Sequence, residues 1–539
     1  MSAQLPLVPS AEPMEIRALI EAVRERFGLA EIRDGEAGII YTVVLEKREI
    51  LPELCRFLFW DCGCGLGGLI VEERPNGWSL SCLFLVPGSG WISVLLELPS
   101  GVNSVPSISA QVHAADWHER EAEDLFGLQF EGHPRLGDFI LHDQIWPEGL
   151  APQRKQVDAN RARFERRPNS EWRPLLVVQD PGAFAMPMGP VYEGGIGEPL
   201  HFILETVGED VVRAVPRLFY KYRGVEKVAE GETVDQALLL AERFAATASF
   251  AHSLGFCQAV ERIWNLDVPP RGRQLRVVLA ELERLRHHAG TIAGICESTA
   301  LAVAGSQVTI IEEQLLRASC QFTGHRYLFG MNVPGGLRRD FEKTALDELN
   351  REVSEAVKRL HAIEGRLYFT SSFLDRLEDV GKVTPESARD LNLLGPVGRA
   401  SGIGHDLRRE CTYSGYENYP FEIPREMEGD GYARLRVLFQ EAYQSSALIR
   451  QASESLKPGP VAVAGTPRPG AALGWVEAPI GAALHWLRLD DEGRVERYHA
   501  ITSSFNNWHG FRVAVENFAF QDFPIILATF GLSAAECDR

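Results

Sequence analysis

Residues 242–261 read ERFAATASFAHSLGFCQAVE, a run of small and apolar side chains that contains one histidine. Ala245, Ala248 and His252 are spaced i, i+3 and i+7, so a helix through this stretch would carry all three on one face. Alanine at such positions is good material for close helix packing. The same positions would also suit a site from which reactive side chains are missing. The residues alone leave both interpretations open.

The sequence around this stretch is mainly helical from about residue 174 onward. Long helical patterns occupy 276–320, 349–363 and 432–456, and the apolar stripe of the second comprises Leu349, Val353, Val357, Leu360 and Ile363. Thr384 followed by Pro385 predicts an N-cap and the first residue of another helix. Near 470–505 the pattern changes to short strands. We therefore expect 174–539 to form a mainly α-helical domain with small β elements.

The first 150 residues have a different pattern. Residues 13–27 show helical spacing, 38–46 are strand-like, and 78–98 read as two strands around a Pro-Gly-Ser-Gly turn. These features predict a compact α+β domain over 1–150. Residues 151–173 carry seven Arg or Lys against three acidic residues, with little apolar periodicity, and predict a basic linker. The fold class of the whole chain is α+β.

The composition argues against several classes of protein. A formal charge of −19 over 539 residues does not suit nucleic acid as a partner, because phosphate binding requires a basic face. No apolar run approaches the roughly 18 residues that span a bilayer. The N-terminus lacks the basic start and apolar core of a signal peptide. We expect a cytoplasmic location.

Nine cysteines are scattered along the chain, and only Cys62 and Cys64 lie close together. A single C-x-C pair provides too few ligands for a zinc or iron–sulfur site. Most of the others have apolar neighbours, so we expect buried, reduced thiols. No cluster is expected in this chain.

The segment HEREAEDLFGLQFEGHPRLGDFIL, residues 118–141, closely resembles a characteristic segment of the 30 kDa subunit of respiratory complex I. The same segment occurs in the N-terminal domain of the formate hydrogenlyase large subunit. Its alternating charges suit a protein interface. The residues proposed for that interface are Glu119, Arg120, Glu121, Asp124 and His133.

The remainder resembles the 49 kDa subunit of complex I and the large subunit of membrane-bound [NiFe] hydrogenases. The resemblance rests on segments that occur in the family's order, among them MPMGPVYEGGIGEPLHF (186–202), LFYKYRGVEKVAEG (218–231), FAHSLGFCQAVE (250–261), GPVGRASGIGHDLRR (395–409), EAPIG (477–481) and SSFNNW (503–508). A 30 kDa-like part followed by a 49 kDa-like part is most similar to the formate hydrogenlyase and hydrogenase-4 type. Quinone binding and NAD binding are among the functions that the resemblance to NADH-quinone oxidoreductase implies.

In those hydrogenases four thiolates hold nickel and iron. The resemblance puts Ala245, Ala248, Ser533 and Glu536 at the four thiolate positions. Two methyl groups, a hydroxyl and a carboxylate cannot replace a soft thiolate cage. We expect no [NiFe] centre and no bound metal, and a substitute metal at His252, Glu536 and Cys537 is the less favoured alternative. Family hydrogenases lose a C-terminal extension after nickel insertion, and we expect no such processing here.

In complex I the equivalent cavity holds a quinone headgroup, contacted by a histidine and a tyrosine. Tyr192 stands at that histidine position and Ala246 at that tyrosine position. Tyr192 or His252 would have to donate instead, and quinone reduction stays a hypothesis. Other polar residues that line the family's cavity, or lead from it to the membrane arm, are Glu198, His201, Arg223, Glu226, Arg399, Asp406 and Arg408. They would either relay protons or hold helices together.

The resemblance implies the large subunit of a membrane-associated, complex I-like complex that couples electron transfer to ion movement. Its expected partners are an iron–sulfur small subunit that carries the cluster, a ferredoxin-like subunit and antiporter-like membrane subunits. Its expected location is peripheral, on the cytoplasmic face of the inner membrane. The alternative is a redox-inactive structural or coupling subunit of such a complex. An active hydrogenase is rejected because the thiolates are missing.

Overall fold

The computed structural model describes residues 15–28, 31–35, 38–136, 139–141, 150–159, 177–193, 198–219 and 221–539, with backbone alone at 190–193 and 198–200. The chain forms two compact units, Met1–Gly137 and Asp138–Arg539. Residues 160–173 of the expected linker lie outside the described residues. Its first part packs within the second unit, where Arg497 donates a 3.0 Å hydrogen bond to the Gln153 side chain.

The first unit is built around a five-stranded sheet in the order β1-β2-β5-β4-β3. Its strands β2 and β5 are parallel, and the other pairs are antiparallel. The elements of the unit are α1 Ile16–Phe27, β1 Glu31–Asp34, β2 Ile39–Leu45, α2 Leu51–Arg56, β3 Gly65–Arg74, β4 Gly77–Val86, β5 Gly90–Pro99, β6 Ser104–Pro106, α3 Asp116–Phe126 and β7 Gln129–Glu131. The predicted α+β domain is confirmed, including a helix at Ile16–Phe27 and the strands on both sides of the Pro-Gly-Ser-Gly turn.

The second unit is mainly helical, as predicted. Its elements are β8 Ala183–Glu193, β9 Glu198–Val207, β10 Asp210–Arg217, α4 Val225–Ala229, α5 Val234–Arg243, α6 Ser249–Trp264, α7 Pro270–Ser298, α8 Ala302–Thr323, β11 Asn332–Val333, β12 Gly336–Leu337, α9 Lys343–Tyr368, α10 Ser371–Leu374, α11 Pro385–Asp390, α12 Gly395–Ala400, α13 Leu407–Glu410, α14 Gly431–Glu454, β13 Gly470–Ala478, β14 Gly481–Leu489, β15 Val495–Ile501, α15 Ser503–Val515, β16 Phe518–Ala519 and α16 Phe523–Phe530. No described helix is both long enough and apolar enough to cross a bilayer.

Helix α7 is the central element of this unit, since α8, α14 and α16 all pack against it. It is buried over most of its length although it carries several charged residues. Buried charges are costly unless they are paired and hydrogen-bonded. The neighbours of α7 must therefore supply partners for its carboxylates and guanidinium groups, and these partners build the polar groups described below.

The second unit contains small β elements, as expected, and its long helices differ from the sequence pattern at one place. The strands β8, β9 and β10 lie in this mainly helical part and pair antiparallel, with a tight turn at Gly208, whose φ is 63°. The helical pattern over 276–320 is interrupted between α7 and α8, where Ala300 adopts a φ of 60° and the backbone N–H of Leu301 bonds to the carbonyl of Cys296 at 2.8 Å. A single residue in the left-handed conformation leaves the apolar periodicity unchanged, so the sequence pattern does not predict this break between the two helices.

Other predicted elements are confirmed. The stripe over 349–363 lies within α9, which buries it apart from the partly exposed Val357. The Thr384 side chain accepts a hydrogen bond from the backbone of Ser387 and caps α11, with Pro385 as its first residue. Seven of the nine cysteines are buried, the exceptions being Cys320 and Cys411.

The helix predicted to carry Ala245, Ala248 and His252 on one face starts later than expected. Ala245 is extended, Ala246–Ala248 form a single 3-10 turn, and α6 begins at Ser249. The buried Glu283 side chain of α7 fixes this start, because it accepts hydrogen bonds from the backbone of Phe250 at 2.7 Å and of Ala251 at 2.9 Å. A carboxylate at a helix N-terminus satisfies otherwise unpaired N–H groups. Only His252 of the three lies on the helix.

Two glycines allow α6 to lie directly on the sheet formed by β13, β14 and β15. A Cβ at Gly474 of β13 would lie 1.9 Å from the carbonyl oxygen of Gly255 in α6. A Cβ at Gly255 would lie 2.4 Å from the ring of His485 in β14. Both positions therefore require glycine for close approach. This approach places the His252 helix against the strand that carries His485.

We predict that Gly474→Ala destabilises the second unit, because the new methyl group must push α6 away from the sheet. Overpacking of this kind costs about 1–3 kcal/mol. Thermal unfolding of the purified protein measures the effect. Gly294→Ala in α7 is the control, since its Cβ would have no neighbour within 4 Å. That variant should be neutral or gain about 0.5–1 kcal/mol from helix propensity. Equal unfolding temperatures for the two variants would contradict the prediction.

Candidate functional site

Arg223 joins the two segments that hold the four expected thiolate positions. Its Nη2 donates to the carbonyl oxygen of Phe244 at 2.7 Å and to that of Ala535 at 2.6 Å. Phe244 directly precedes Ala245, and Ala535 lies between Ser533 and Glu536. The structure therefore brings together the two segments that the sequence analysis paired.

The four positions are filled by packing and hydrogen bonds. Ala245 and Ala248 are fully buried. The backbone N–H of Ser533 donates to the Ser504 hydroxyl at 3.1 Å, and the Ser533 hydroxyl accepts from the backbone of Glu536 at 3.2 Å. Every group at these positions is thus used within the chain.

Glu536 holds the start of α15. Its Oε2 accepts a hydrogen bond from the backbone of Ser504 at 3.3 Å, and its carbonyl accepts one from the Thr502 hydroxyl at 3.1 Å. The positive end of a helix favours a carboxylate at this place. The other carboxylate oxygen, Oε1, lies 3.2 Å from Nε2 of His252. Glu536 therefore connects α15 to α6.

The second ring nitrogen of His252 leads to two residues that the sequence analysis missed, His485 and Tyr498. Nδ1 of His252 lies 3.3 Å from Nε2 of His485, and Nδ1 of His485 lies 2.9 Å from the Tyr498 hydroxyl. All three side chains are fully buried. Burial, together with His252 and Arg539, holds the pKa of His485 well below its ordinary value. Burial and the nearby Glu226 raise the pKa of Tyr498.

Glu226, one of the predicted cavity residues, is the anchor of a neighbouring charged group. It bonds to Nδ1 of His499 at 2.9 Å, to Nη2 of Arg497 at 3.3 Å and to Nε of Arg539 at 3.2 Å. Burial alone would raise the pKa of Glu226, but these three partners outweigh it and lower the pKa. Glu226 is therefore a buried carboxylate that fixes α4, β15 and residue 539 together.

The predicted residues Arg399, Asp406 and Arg408 form a second buried group. Arg399 donates to Glu441 at 2.7 Å and to Glu477 at 3.0 Å. Arg408 donates to Asp406 at 2.7 Å and to Glu281 of α7 at 3.0 Å. All of these side chains are at most 2% exposed.

The charges of this second group balance if one carboxyl is protonated. Three guanidinium groups face four carboxyls, the three being Arg284, Arg399 and Arg408 and the four being Glu281, Asp406, Glu441 and Glu477. Burial and the adjacent Asp406 raise the pKa of Glu477 to about 7. Burial would raise the pKa of the other three carboxyls as well, but the surrounding guanidinium groups lower it. Glu477 is the carboxyl placed to hold a proton.

Both units of the chain are similar to known proteins. Residues 307–468 match the family described as respiratory-chain NADH dehydrogenase, 49 Kd subunit, and residues 46–163 match the 30 Kd subunit family. Formate hydrogenlyase subunit 5 of Escherichia coli strain K12 is 31% identical over 505 residues, which cover 92% of this chain and 88% of that protein. The chain belongs to the family of formate hydrogenlyase subunit 5 and the complex I 49 kDa subunit.

Other members of the formate hydrogenlyase and complex I family agree with this result. Hydrogenase-4 component G of the same strain is 28% identical, and the match covers 97% of this chain and 92% of that protein. The C/D subunit of NADH-quinone oxidoreductase from Acinetobacter baumannii strain AYE is also 28% identical, over 82% of this chain and 80% of its own. A chain of the membrane-bound sulfane sulfur reductase, an archaeal respiratory membrane complex, superimposes with a TM-score of 0.63 at 26% identity, covering 67% of this chain and all of that chain.

The residues that the resemblance puts at the four thiolate positions do not fit a [NiFe] centre, because none of them provides a thiolate. Sγ of Cys537, the residue after Glu536, lies 3.9 Å from the carbonyl oxygen of Ser533. Within the described residues, Cys537 does not join His252 and Glu536 in a group of three convergent ligand atoms.

The donors expected for a quinone headgroup were Tyr192 and His252. Both ring nitrogens of His252 already have partners, so His252 would have to break one of these bonds to donate to a headgroup. Tyr192 and Glu198 are described by their backbone alone, as residues of β8 and β9 near one end of the hairpin. His201 on β9 is part-buried, and burial with Arg217 lowers its pKa.

The predicted interface residues belong to α3 and to the turn after β7, and Glu119 has a partner inside the first unit. Its carboxylate accepts hydrogen bonds from the Ser107 hydroxyl at 2.5 Å and from the backbone of Ile108 at 2.6 Å. His133 lies 3.7 Å from Glu119. Glu119 and Glu121 are both buried. Burial raises the pKa of Glu119 to about 7. A charge reversal at Glu119 would therefore disturb the fold of the first unit before any interface, and the interface stays a prediction.

Arg399→Met tests whether the second group needs its central cation. We predict a loss of about 3–5 kcal/mol in stability, because the buried carboxylate of Glu441 loses its ion pair and the carboxyl of Glu477 loses its hydrogen-bond donor. Chemical denaturation measures this loss. Arg317→Met is the control, since Arg317 pairs with Glu313 on the surface and its side chain is 76% exposed. A denaturation midpoint for Arg399→Met equal to that of the control would show that the group is not held by Arg399.

The pKa of Glu477 predicts a pH dependence of stability. The folded protein holds a proton on Glu477 that the unfolded chain releases above about pH 4.5, so this contribution is lost as the pH rises from about 4.5 to about 7. Glu477→Gln stays neutral and avoids that loss. Its unfolding temperature relative to the unsubstituted protein should therefore increase between pH 5 and pH 8.

Glu441→Gln is the matched control for this pH series. The pKa of Glu441 is lowered, so its own titration lies below this window and its difference from the unsubstituted protein should stay constant. Parallel curves for Glu477→Gln and the unsubstituted protein would contradict the assignment of a proton to Glu477.

Proposed function

We propose that this chain is the large subunit of a membrane-associated, complex I-like oxidoreductase that couples electron transfer to ion translocation without a [NiFe] centre. The observation that carries the proposal is the combination of family membership over most of the chain with Ala245, Ala248, Ser533 and Glu536 at the thiolate positions. We therefore expect proton transfer to an organic or sulfur acceptor at these positions, and no metal hydride chemistry.

The relatives support a place in a respiratory membrane complex. One is named as the C/D subunit of NADH-quinone oxidoreductase, and the solved structure is that of a membrane-bound sulfane sulfur reductase. We therefore propose an iron–sulfur small subunit, a ferredoxin-like subunit and antiporter-like membrane subunits as partners. The partner's cluster would deliver electrons to the site between α6 and α15, with this chain on the cytoplasmic face of the membrane.

The site offers acid–base groups to an acceptor that takes up protons. Glu536 and His252 lie near the first turn of α6, the end that would face the partner's cluster. Quinone is one acceptor of this kind, since its reduction consumes two protons with two electrons. A carboxyl and an imidazole positioned together are suitable proton donors for such a reaction.

The competing function is a redox-inactive coupling subunit. One observation favours it, namely that both ring nitrogens of His252 are already bonded and the four thiolate positions are closely packed. Under that function the buried group around Arg399 would transmit force or position helices, and no acceptor would enter the site. The two functions differ in whether the isolated complex transfers electrons through this subunit.

Isolation of the intact complex tests the proposal. We predict that it contains an iron–sulfur subunit, contains no stoichiometric nickel, and neither evolves nor consumes hydrogen, because the four positions provide no thiolate. Metal analysis by mass spectrometry and a hydrogen electrode measure these properties. One nickel per chain would contradict the proposal.

A further measurement separates the two functions. The reduced complex is mixed with a short-chain quinone or with polysulfide, and oxidation of its clusters is followed by absorbance. Oxidation by either acceptor supports the oxidoreductase. A complex that contains no iron–sulfur subunit, or clusters that neither acceptor oxidises, would favour the coupling subunit.

A further inference from the structure

A continuous line of hydrogen-bonding side chains runs from the vacated thiolate position into the three-stranded sheet. It comprises Glu536, His252, His485 and Tyr498, with consecutive separations of 3.2, 3.3 and 2.9 Å. All four side chains are fully buried. The family resemblance assigned no role to His485 or Tyr498.

If Glu536 is ionised and both imidazoles are neutral, a single order of donors and acceptors satisfies this line. An ionised carboxylate can only accept, so Nε2 of His252 must donate to Glu536. A neutral imidazole has one donor and one acceptor, so Nδ1 of His252 accepts from Nε2 of His485. Nδ1 of His485 then accepts from the Tyr498 hydroxyl. Each of the three hydrogen bonds then contains one proton, and each donor points toward the Glu536 end of the line.

We infer that these four side chains form a proton-transfer chain that delivers a proton to the site between α6 and α15. The inference rests on the proposed function, because that function supplies the acceptor. In one transfer Tyr498 receives a proton from a donor outside these four side chains and passes its own hydroxyl proton to Nδ1 of His485. His485 then passes the proton on its Nε2 to Nδ1 of His252. His252 passes its Nε2–H to Glu536. One proton enters, one is bound as carboxylic acid on Glu536, and no charge is left on the histidines.

The surroundings of the chain keep its middle neutral. The charged and titratable groups that face it are Glu283 from α7, Glu226 from α4, His499 from β15, and Arg539. His485 stays uncharged because burial and the adjacent cation Arg539 disfavour its protonation. A neutral imidazole can both receive and donate a proton, whereas a permanently charged one can only donate.

The packing of α6 on the sheet sets the central link. The ring of His485 lies against Gly255, where a Cβ would come within 2.4 Å of it. Gly255 is one turn from His252 on the same helix. A methyl group at 255 would displace the His485 ring and lengthen its bond to His252, without changing any titratable side chain. This provides a second way to interrupt the chain.

The proton positions can be measured without any turnover. In the complete complex labelled with ¹⁵N-histidine, NMR reports which ring nitrogen carries the proton, and His252→Gln and His485→Gln assign the signals. We expect both histidines to carry it on Nε2. A proton on Nδ1 of His485 with His252 protonated on Nε2 would leave two acceptors facing each other and would overturn the inference, whatever the complex does with electrons.

Turnover tests the transfer itself. The dithionite-reduced complex is mixed with a short-chain quinone, which takes up protons, or with ferricyanide, which takes up none. Tyr498→Phe and Gly255→Ala should lower the quinone rate at least about tenfold and change its solvent isotope effect, with the ferricyanide rate maintained. Tyr419→Phe is the control, since it removes another buried hydroxyl, one bonded to Gln274 at 3.0 Å.

The outcomes are distinguishable. An unchanged quinone rate in both variants would overturn the proton-transfer chain while leaving the proposed function intact. A fall in both rates would also overturn it, because the hydroxyl would then support assembly rather than proton transfer. An unsubstituted complex that reduces no quinone would count against quinone as the acceptor in the proposed function, and the NMR measurement would still decide the order of the chain.

Discussion

A buried carboxylate at the first turn of a helix is the interaction on which the site depends, and it occurs twice. Glu283 holds the start of α6, and Glu536 holds the start of α15. Helix starts expose N–H groups that need acceptors, and water is not available to them here. Glu536 also binds His252 of α6. The two helix starts are therefore fixed relative to each other by one side chain.

Two buried polar groups of the second unit reduce the cost of desolvation in different ways. The group around Arg399 does so by charge balance, with guanidinium groups surrounded by carboxyls and one proton retained on Glu477. The line from His252 to Tyr498 does so with hydrogen-bonding groups that satisfy one another. Removal of one member of the first group leaves a charge, whereas removal of one member of the second leaves an unpaired hydrogen-bonding group.

Local sequence patterns predicted the elements that their own side chains determine. The stripe in α9, the cap at Thr384 and the hairpin at residues 78–98 all follow from nearby residues. Family resemblance identified the paired segments around Ala245 and Glu536. The start of α6 and the partners of His252 could not be predicted, because they depend on Glu283 and His485, which are distant in sequence. The sequence near Glu283 in α7 and near His485 in β14 contains no local pattern that marks these two residues as partners of α6.

The hydrogen bond between His252 and Glu536 spans 284 positions of the chain. Contacts of such separation close late in folding, because the intervening chain must first be organised. During synthesis α6 can dock on α7 as soon as Glu283 is available, but His252 must wait until the segment around Glu536 has left the ribosome. A translation product that stops before this segment would thus expose an unfinished pocket beside a nearly complete fold.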